Sequence, residues 1–391
     1  MPHYKFDQIA FNITDKKMPE PGDEKMYIGL EHLDSGSLKI TRWGSEVELT
    51  GQKLVMRKGD VLFGRRNTYL RRAAIAPHDG IFSAHGMIFR PKTQVIDPEY
   101  FPFFISSNYF MDAAIRISVG SLSPTVNWKT LKELEFDLPS LEEQRKNAAL
   151  LKSINETKEA YQELLIQTDN LVKSQFIEMF GEDGEKGNCV TKTLQELIDM
   201  KWITYHLDGN HGGDYPRADE FVEAGIPYIS ANCIVGDRID MKLAKYVTAE
   251  RAKRFRKGIA ENGDVLFAHN ATVGPVAILE TEEPTVILGT SLTSYRCNSN
   301  HILAEYLMAY MKNPLFVQQY ERNMQQSTRK QVPITTQRKY SFIIPSMDEQ
   351  KEFAHFVKQS DKSKFELKEA IKSCDALMKA ILFTNLEEKE G

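Results

Sequence analysis

The chain has 391 residues, of which 41% are hydrophobic and 27% are charged, and its formal net charge is −4. This length suits two domains with connecting segments. The composition is typical of a folded protein and not of a disordered one. The net charge neither favours nor excludes nucleic-acid binding, because acidic surface elsewhere can offset a basic face.

Membrane spans, zinc sites and disulfide frameworks are not expected. The longest apolar runs, such as residues 100–105 and 340–345, are far shorter than the roughly 18 residues of a membrane span, and the N-terminal segment lacks the apolar core of a secretory signal. We therefore expect a soluble, cytoplasmic protein. The cysteines lie far apart, with no Cys-x-x-Cys pattern and no histidine at ligand spacing; they are Cys189, Cys233, Cys297 and Cys374.

An ordered series of short matches recurs along the chain at an offset that grows only from 201 to 206 residues. The matches are Tyr27-Ile28 with Tyr228-Ile229, Gly59–Phe63 with Gly263–Phe267, Phe89-Arg90 with Tyr295-Arg296, Glu99-Tyr100 with Glu305-Tyr306, and Pro139–Gln144 with Pro345–Gln350. A tandem duplication with a few loop insertions produces such a nearly constant offset. The chain therefore consists of two copies of one unit.

Each copy begins with short apolar segments between Gly and Pro residues, a pattern typical of strands. The predicted strand segments are YIGLEHL, KLVMR, DVLFG and GIFSAHGMIFR in the first copy, and PYISANCI, DVLFA, PVAILE and SLTSYRC in the second. A helical stretch follows in each copy, from residue 98 to about 117 and from about 302 to 324. Each copy is predicted to be a β-rich α+β lobe.

A long helix closes each copy and begins with a capping box, in which a Ser and a Glu three residues later satisfy the free amides of the first turn. The boxes are Ser140 with Glu143 and Ser346 with Glu349. The first helix is predicted over residues 141–180, with Gly181 as its C-cap.

Both helices carry residues at alternating steps of four and three, the spacing of a coiled-coil seam. The seam positions are Leu150, Ile154, Thr157, Tyr161, Leu164, Thr168, Leu171, Gln175 and Glu178 in the first helix, and Phe353, Phe356, Ser360, Ser363, Leu367, Ala370, Cys374, Leu377 and Ile381 in the second. Two similar seams indicate that the helices pair with each other. Packing of each helix on its own lobe is the alternative.

This order of elements resembles that of the specificity subunits of type I restriction-modification systems. The resemblance covers nearly the whole chain, and its residues are GIPYISANCIVGDRIDM and RKGIAENGDVLFAHNATVGPVAIL in the second copy, the helix starts LPSLEEQ and IPSMDEQ, and the helix end IEMFG. It implies target-recognition domains at 1–137 and 182–343, conserved helical regions at 138–181 and 344–386, and a tail at 387–391. The helices would pair as an antiparallel coiled coil with pseudo-two-fold symmetry and set the spacing between the two lobes.

The resemblance also implies what such a chain does. It would be a non-catalytic subunit that reads a bipartite, asymmetric target in double-stranded DNA and directs two modification (methyltransferase) subunits and the restriction (translocase/nuclease) subunits to it. S-adenosylmethionine, ATP and Mg would belong to those partners, and no cofactor is expected in this chain. The first copy departs from the family by carrying residues 64–72 in place of a glycine-rich turn, which suggests that the lobes read different half-sites.

Specific DNA binding needs cations for phosphates and forked donors or amides for base edges. The first candidate loop follows the first GDVLF and contains Arg65, Arg66, Asn67, Tyr69, Arg71 and Arg72, with a solvated charge run as the alternative. The equivalent turn of the second copy contains His269, Asn270 and Thr272, with an ordinary polar turn as the alternative.

Two further segments are candidates. A basic run precedes the second GDVLF and is predicted to reach phosphates, unless it is only an exposed helix face; its residues are Arg251, Lys253, Arg254, Arg256 and Lys257. The other segment lies just before the last strand of the second lobe and contains Thr328, Arg329, Lys330 and Gln331, with a plain surface loop as the alternative.

Rival functions have weaker support. Residues 313–316, Asn-Pro-Leu-Phe, resemble the Asn-Pro-Pro-aromatic loop of adenine methyltransferases, but the third position differs and no glycine-rich cofactor strand precedes it. Neither a nuclease pattern of carboxylates with lysine nor a P-loop is present. A coiled-coil scaffold that does not bind DNA is the alternative from another class, and salt-sensitive DNA binding would distinguish the two.

Overall fold

The computed structural model describes residues 2–210, 215–324 and 330–386. The chain forms two compact units. Unit 1 consists of Met1–Glu163 together with Leu367–Gly391, and unit 2 consists of Leu164–Glu366. Each unit therefore holds one copy of the repeat together with segments of both long helices. The domain limits deduced from the sequence divide the chain at different points and stay a prediction.

Unit 1 combines sheets with short helices. Its strands are β1 (His3–Lys5), β2 (Ala10–Ile13), β3 (Lys16–Lys17), β4 (Tyr27–Ile28), β5 (Lys53–Met56), β6 (Val61–Phe63), β7 (Ala73–Ile75), β8 (Gly80–Phe82), β9 (Met87–Pro91) and β10 (Glu135–Asp137), and its short helices are α1 (Phe6–Ile9), α2 (Phe101–Ser106), α3 (Asn108–Arg116) and α4 (Trp128–Leu131). One sheet has the order β2-β9-β6-β7, a second has the order β3-β5-β8-β4, and β1 pairs with β10.

The alternation of side chains along β6 explains the layers of unit 1. Phe63 belongs to a large apolar core shared with the helices and with Leu382 of the last helix. Leu62 belongs to a second core with Leu54 and Phe82 of the other sheet. Because successive side chains of a strand point to opposite faces, the β2-β9-β6-β7 sheet lies between the helices and the second sheet.

Unit 2 repeats this plan with longer strands. Its strands are β11 (Val190–Thr193), β12 (Ile203–Asp208), β13 (Phe221–Val222), β14 (Ile226–Ile229), β15 (Ile234–Val235), β16 (Arg238–Ile239), β17 (Lys245–Val247), β18 (Ile259–Ala260), β19 (Val265–Asn270), β20 (Thr272–Ile278), β21 (Val286–Leu288), β22 (Leu292–Cys297) and β23 (Ser341–Ile344), and its short helices are α6 (Leu194–Asp199), α7 (Ala249–Ala252), α8 (Ala304–Lys312), α9 (Pro314–Met324) and α10 (Ile334–Gln337).

The central sheet of unit 2 has the order β12-β22-β19-β20-β16-β15, a second sheet has the order β13-β17-β14-β21-β18, and β11 pairs with β23. Phe267 of β19 packs on the helix side, and its neighbour Leu266 packs toward the second sheet with Ile229. The structure thus confirms the predicted mixture of sheets and helices in each copy.

The long helices run over Leu141–Phe180 and Met347–Leu386, and we number them α5 and α11. Both predicted capping boxes are confirmed. The Ser140 amide donates to the Glu143 carboxylate at 2.9 Å, and the Ser346 amide donates to Glu349 at 3.0 Å. Gly181 follows α5 with φ +76°, the left-handed conformation of a C-cap.

A buried glutamine fixes the start of each long helix to its own lobe. Gln144 donates to the carbonyls of Val95 and Pro139 at 3.1 and 2.9 Å and accepts from the Asp97 amide at 2.8 Å. Gln350 makes the equivalent bonds to His301, Pro345 and Leu303. These glutamines are the last residues of the repeated PSLEEQ and PSMDEQ motifs, so the repetition reflects a shared anchor.

The predicted seam is wrong at seven of its eighteen positions, which are exposed: Leu150, Thr157, Leu164, Leu171 and Glu178 in α5, and Ser363 and Leu377 in α11. Leu150 is 50% exposed, whereas its neighbour Leu151 is fully buried. The buried or half-buried positions at coiled-coil spacing include Leu151, Ile154, Lys158, Tyr161, Leu165, Thr168, Val172, Gln175 and Met179 in α5, and Phe353, Val357, Ser360, Lys364, Leu367, Ile371, Cys374, Met378 and Ile381 in α11, where the predicted Phe356 and Ala370 are half-buried as well. One set of predicted positions in α5 is therefore shifted by one residue, and in α11 the shift is clear at Ser363 and Leu377.

Two shorter predictions also need correction. The helical stretch predicted from residue 98 begins only at Phe101 and is divided at Ser107, whose hydroxyl accepts from the Phe110 amide at 3.2 Å and so caps α3. The stretch of the second copy is divided in the same way at Asn313. The segment YIGLEHL is a strand only over Tyr27–Ile28 and continues as a 3₁₀ turn over Leu30–His32.

Candidate nucleic-acid interface

In unit 1 two loops lie side by side at one edge of the central sheet. The first, residues 64–72, joins β6 to β7, and the second is residues 118–126; together they are the paired loops of unit 1. The Asn67 amide donates to the Pro124 carbonyl at 2.7 Å, and the Val126 amide donates to the Arg65 carbonyl at 3.0 Å. Arg66 and Thr125 form a β-bridge. The backbone of the arginine-rich loop is therefore held in place.

The arginines of this loop differ in their partners. Arg71 forms an ion pair with the carboxylate of Asp112 and donates to the side chain of Asn108, so its charge is neutralised within the unit. Among the residues that the structure describes, Arg65, Arg66 and Arg72 form no ion pair with a carboxylate. Three arginines that form no ion pair within the described residues therefore lie in one short loop, and Glu31 is close enough to Arg72 to affect its pKa.

Each of these cations has a distinct setting. Arg66 is exposed and its Nε donates to the Ser123 hydroxyl at 3.2 Å. Arg72 donates to the carbonyls of Leu30 and Arg66, and burial lowers the pKa of its guanidinium group. The Nε atoms of Arg65 and Arg72 are buried without a hydrogen-bond partner. A bound anion would relieve the cost of holding these charges in the loop.

The backbone of the loop is strained at two positions. Asn67 has φ +54° and Arg71 has φ +49°. Left-handed conformations are uncommon for residues other than glycine, although asparagine tolerates them. The side chain of Tyr69, between them, is 55% exposed. The side chains of Tyr69 and Arg66 are therefore exposed on a loop whose backbone is held in an uncommon conformation.

Unit 2 has the same arrangement with a shorter turn. The turn between β19 and β20, residues 269–272, lies beside residues 330–332, and we call them the paired loops of unit 2. The Ala271 amide donates to the Lys330 carbonyl at 3.2 Å, and Asn270 forms a β-bridge with Gln331. This bridge is equivalent to that between Arg66 and Thr125. Two predicted segments far apart in sequence are thus brought together in each unit.

The side chains that unit 2 offers at this turn are small or uncharged, apart from one lysine. Thr272, Lys330 and Gln331 are exposed, and Asn270 is half-buried. Ala271 has φ +65°, another left-handed residue at the tip. Thr328 and Arg329, which were predicted to contact DNA, lie outside the described residues.

His269 does not belong to the exposed part of this turn. The sequence predicted a strand that ends at Ala268, but β19 continues to Asn270, and the His269 side chain points inward and is only 3% exposed. Its Nδ1 lies 2.9 Å from the Thr293 hydroxyl. We therefore remove His269 from the predicted contact residues.

The basic run before the second GDVLF is divided by the fold. Arg251 donates to Glu220 at 2.8 Å and lies over the Phe255 ring. Lys257 pairs with Asp208 at 2.7 Å. Lys253, Arg254 and Arg256 are exposed. The exposed members can reach a polyanion, whereas Arg251 and Lys257 stabilise the unit.

Sequence reasoning missed the ion pair that supports each turn. The Asp60 carboxylate, in the first GDVLF, accepts a forked pair of hydrogen bonds from Arg90 at 2.5 and 2.9 Å. Asp264 does the same for Arg296 at 2.8 and 3.0 Å. The glycine before each aspartate has φ +89°, which favours glycine. Both partners belong to the repeated matches, so their recurrence was the available signal.

Among the described residues, no group of three or more His, Cys, Asp or Glu side chains could hold a metal ion. Within the same ranges, no helix combines the length and apolar character of a membrane span.

The fold and its loops define a duplicated α/β protein in which each unit presents a pair of loops from one edge of its central sheet. The chain belongs to the type I restriction modification DNA specificity domain family, whose model matches residues 11–167 and 190–373.

Individual relatives agree with this assignment. Over 142 residues the chain is 26% identical to the type I restriction enzyme EcoDI specificity subunit of Escherichia coli, and this match covers 36% of the chain but only 31% of that relative. The fold is similar to that of a chain solved in work on complex assembly and conformational transition of the type I R-M system, with a TM-score of 0.57, 18% identity, and coverage of 98% of this chain and 97% of that one. It is also similar to the type I restriction-modification S subunit of M. genitalium, with a TM-score of 0.56, 14% identity, and coverage of 99% and 96%.

Proposed function

We propose that this chain is the sequence-specific DNA-binding subunit of a type I restriction-modification complex and reads a bipartite, asymmetric target. The observation that carries the proposal is the recurrence of the paired loops on one scaffold with different side chains. Arg66 and Asn67 occupy the turn in unit 1, and Asn270 and Thr272 occupy it in unit 2. The same scaffold with different loops suits two different half-sites.

The chemistry of unit 1 suits guanine or phosphate. A guanidinium group can donate two hydrogen bonds to O6 and N7 of guanine or to phosphate oxygens. Arg65, Arg66 and Arg72 lack carboxylate partners among the described residues, which leaves their charge available to DNA. Tyr69 offers an exposed aromatic face for stacking or sugar contact.

The chemistry of unit 2 suits adenine and the backbone. Asn and Gln side chains can bond N6 and N7 of adenine with their amides, and Asn270 and Gln331 lie opposite each other. Lys330, Arg254 and Arg256 would contact phosphates. The roles of Thr328 and Arg329 stay a prediction from the sequence.

We further propose that α5 and α11 pair as an antiparallel coiled coil with pseudo-two-fold symmetry. Support comes from an ion pair inside each unit. Lys158 of α5 binds Asp375 of α11 at 2.7 Å in unit 1, and Lys364 of α11 binds Asp169 of α5 at 3.3 Å in unit 2. Lys158 is equivalent to Lys364 in the repeat, and Asp375 to Asp169. The lysine comes from α5 in the first pair and from α11 in the second, and the aspartate comes from the other helix each time. A two-fold axis that relates the helices produces this pattern.

The partners are proposed from the family. Two modification subunits would bind the helical regions, and restriction subunits would complete the assembly in the cytoplasm. S-adenosylmethionine, ATP and Mg would be bound by those partners, and this chain would contribute DNA reading without catalysis.

The exchange of one lobe tests the proposal. Residues 1–137 are replaced by the matching lobe of a family member with a different target, and methylated sites are mapped genome-wide in cells that carry the whole system. One half of the target should change, while the other half and the spacer persist. A change in both halves, or in neither, would contradict the proposal. The variant Arg66→Ala should relax the first half, and Arg42→Ala, which removes an arginine paired with Asp34 outside the paired loops, should not.

The same assembly distinguishes the alternatives. Because phosphate contacts release counterions, its affinity for duplex DNA should fall steeply between about 50 and 200 mM salt, whereas a scaffold would show no such binding. Residues 313–316 do not support the methyltransferase alternative, because Asn313 is buried and acts as a helix cap. Its side chain accepts from the Leu315 amide at 3.0 Å.

A further inference from the structure

A buried hydrogen-bond network lies beneath the paired loops of unit 2 and is centred on Gln337, at the end of α10. Its Oε1 accepts from the Tyr295 hydroxyl at 2.6 Å and from His206 Nε2 at 3.2 Å. Its Nε2 donates to the Thr293 hydroxyl and to the Val332 carbonyl, both at 3.0 Å. The amide thereby uses both donor hydrogens and two acceptor positions, and the side chain is fully buried.

The network reaches both segments of the paired loops. The Thr293 oxygen accepts from Gln337, so its hydroxyl hydrogen is free to donate to His269 Nδ1 at 2.9 Å. His269 directly precedes Asn270, and Val332 directly follows Gln331. The Val332 amide also donates to the His269 carbonyl at 2.8 Å. Hydrogen bonds therefore link the Gln337 side chain to a residue next to Asn270 and to a residue next to Gln331.

Unit 1 has apolar residues at the positions of this network. Leu131 occupies the position of Gln337 in unit 1, Met87 that of Thr293, and Phe89 that of Tyr295. The strand registers support the correspondence, because Phe63 pairs with Met87 and Phe267 pairs with Thr293. Leu131, Met87 and Phe89 are buried in one apolar core. The two units thus support the same kind of turn with different chemistry.

The hydrogen-bond network of unit 2 constrains side-chain positions in a way that the apolar core of unit 1 does not. Hydrogen bonds constrain the direction of approach, because they weaken steeply as the donor angle falls, whereas apolar contacts are non-directional. Base readout needs side chains held to within about 0.5 Å. Backbone bonds hold each turn to its neighbouring segment, residues 118–126 in unit 1 and residues 330–332 in unit 2. The shorter turn of unit 2 is in addition linked to the buried network through His269 and Val332.

We propose that Gln337 is a positioning residue for DNA reading by unit 2, acting through Thr293, His269 and Val332 on the paired loops that carry Asn270 and Gln331. The inference rests on the proposed function, since it concerns how the second half-site is read. It assigns sequence discrimination to residues that cannot touch the duplex, because Gln337 and Thr293 are fully buried.

A matched pair of variants tests this. Thr293→Val keeps the shape of the side chain but removes the hydroxyl that links Gln337 to His269, and Thr293→Ser keeps the hydroxyl. Methylated sites are mapped in cells that carry the whole system with each variant. Thr293→Val should lower discrimination at one or more positions of the second half-site by about tenfold or more, which corresponds to about 1.4 kcal/mol. Thr293→Ser should keep the original motif.

A triple variant separates positioning from folding. Gln337→Leu with Thr293→Met and Tyr295→Phe installs the apolar residues of unit 1, so thermal unfolding should stay close to that of the original chain while the second half-site relaxes. An unchanged second half-site in Thr293→Val, or equal relaxation of both half-sites, would overturn the inference. If the triple variant does not fold, the comparison of Thr293→Val with Thr293→Ser still tests the inference. The lobe exchange described above tests the proposed function separately, because its result does not depend on which residues support the turn of unit 2.

Discussion

At the scale of single residues, the forked pairs Asp60–Arg90 and Asp264–Arg296 hold the strand that leads into the paired loops of each unit. Asp264 is 1% exposed and also accepts from the Ser294 hydroxyl at 2.8 Å. Removal of this buried carboxylate lowers stability, because the Ser294 hydroxyl loses its acceptor and Arg296 keeps only the more exposed Glu261 as a counterion.

Asp264→Asn should lower the free energy of unfolding by about 3 kcal/mol, since one partner of a largely buried pair is neutralised. Urea denaturation of the full chain measures this. Asp348→Asn is the control, because Asp348 is 97% exposed in its pair with Lys351 and such pairs contribute at most about 1 kcal/mol. Equal losses in the two variants would contradict the assigned role of the fork.

His206 should make unit 2 sensitive to acid. The pKa of His206 is lowered to about 4, chiefly by burial and also by the nearby Arg338, against the opposing effects of Gln337 and Asp208. The unfolded chain binds the proton at higher pH than the folded chain does, so stability is full above about pH 6.5 and falls as the pH decreases toward 4. The loss should approach about 3 kcal/mol.

The measurement is thermal unfolding of the full chain at pH 7, 5.5 and 4.5, compared with His206→Gln, whose amide keeps a donor for Gln337 but does not titrate. The original chain should lose more stability than the variant at each step down in pH. Parallel decreases would show that His206 does not carry the effect.

Residue identity in the site was only partly predictable. The repeated Gly-Asp and Phe/Tyr-Arg matches marked Asp60 and Arg90, but their pairing depends on which strands become neighbours. His269 was misplaced because strand β19 is two residues longer than its apolar pattern suggests, and this extension directs the imidazole inward. Gln337 carried no sequence signal, because nothing in its surroundings distinguishes a buried amide from an exposed one.

At the scale of elements, the ends of the long helices were predicted closely, but the face of each helix that packs inward was predicted less well. Capping boxes and Gly181 are local signals, and both capping boxes and the ends of α5 agree with the structure. The seam was ambiguous because apolar residues occur in adjacent pairs, such as Leu150 with Leu151. Only packing against a partner decides which of the two faces inward.

Leu151→Asp should destabilise the full chain by more than about 3 kcal/mol, because a charge would enter the core of unit 1. Leu150→Asp, one residue earlier and half exposed, should change stability by less than about 1 kcal/mol. Circular dichroism during thermal unfolding compares the two variants. If Leu150→Asp were the more damaging, the seam predicted from the sequence would be correct after all.

At the scale of the whole molecule, the proposed coiled coil should act as a ruler. The two units meet along the chain between Glu163 and Leu164 and between Glu366 and Leu367. Insertion of one heptad at both points would preserve the seam and add about 10 Å of helix.

The expected result is a target with unchanged half-sites and an unread spacer longer by up to about three base pairs, since a duplex turn of about 10 base pairs spans about 34 Å. Mapping of methylated sites in cells measures the spacer. A heptad inserted into α5 alone is the control and should abolish methylation, because it shifts the pairing of α5 with α11. An unchanged spacer in the double insertion would contradict the ruler.

The composition of the two units has a consequence for the order of synthesis. Unit 2 is a continuous stretch, Leu164–Glu366, whereas unit 1 needs residues from 367 onward, including Leu382 in its core with Leu151. On the ribosome, the lobe made second can therefore complete its fold first. The lobe made first waits with Ala148 and Leu151 uncovered until the end of α11 emerges, so premature termination after residue 366 should leave one mature lobe and one target for proteases.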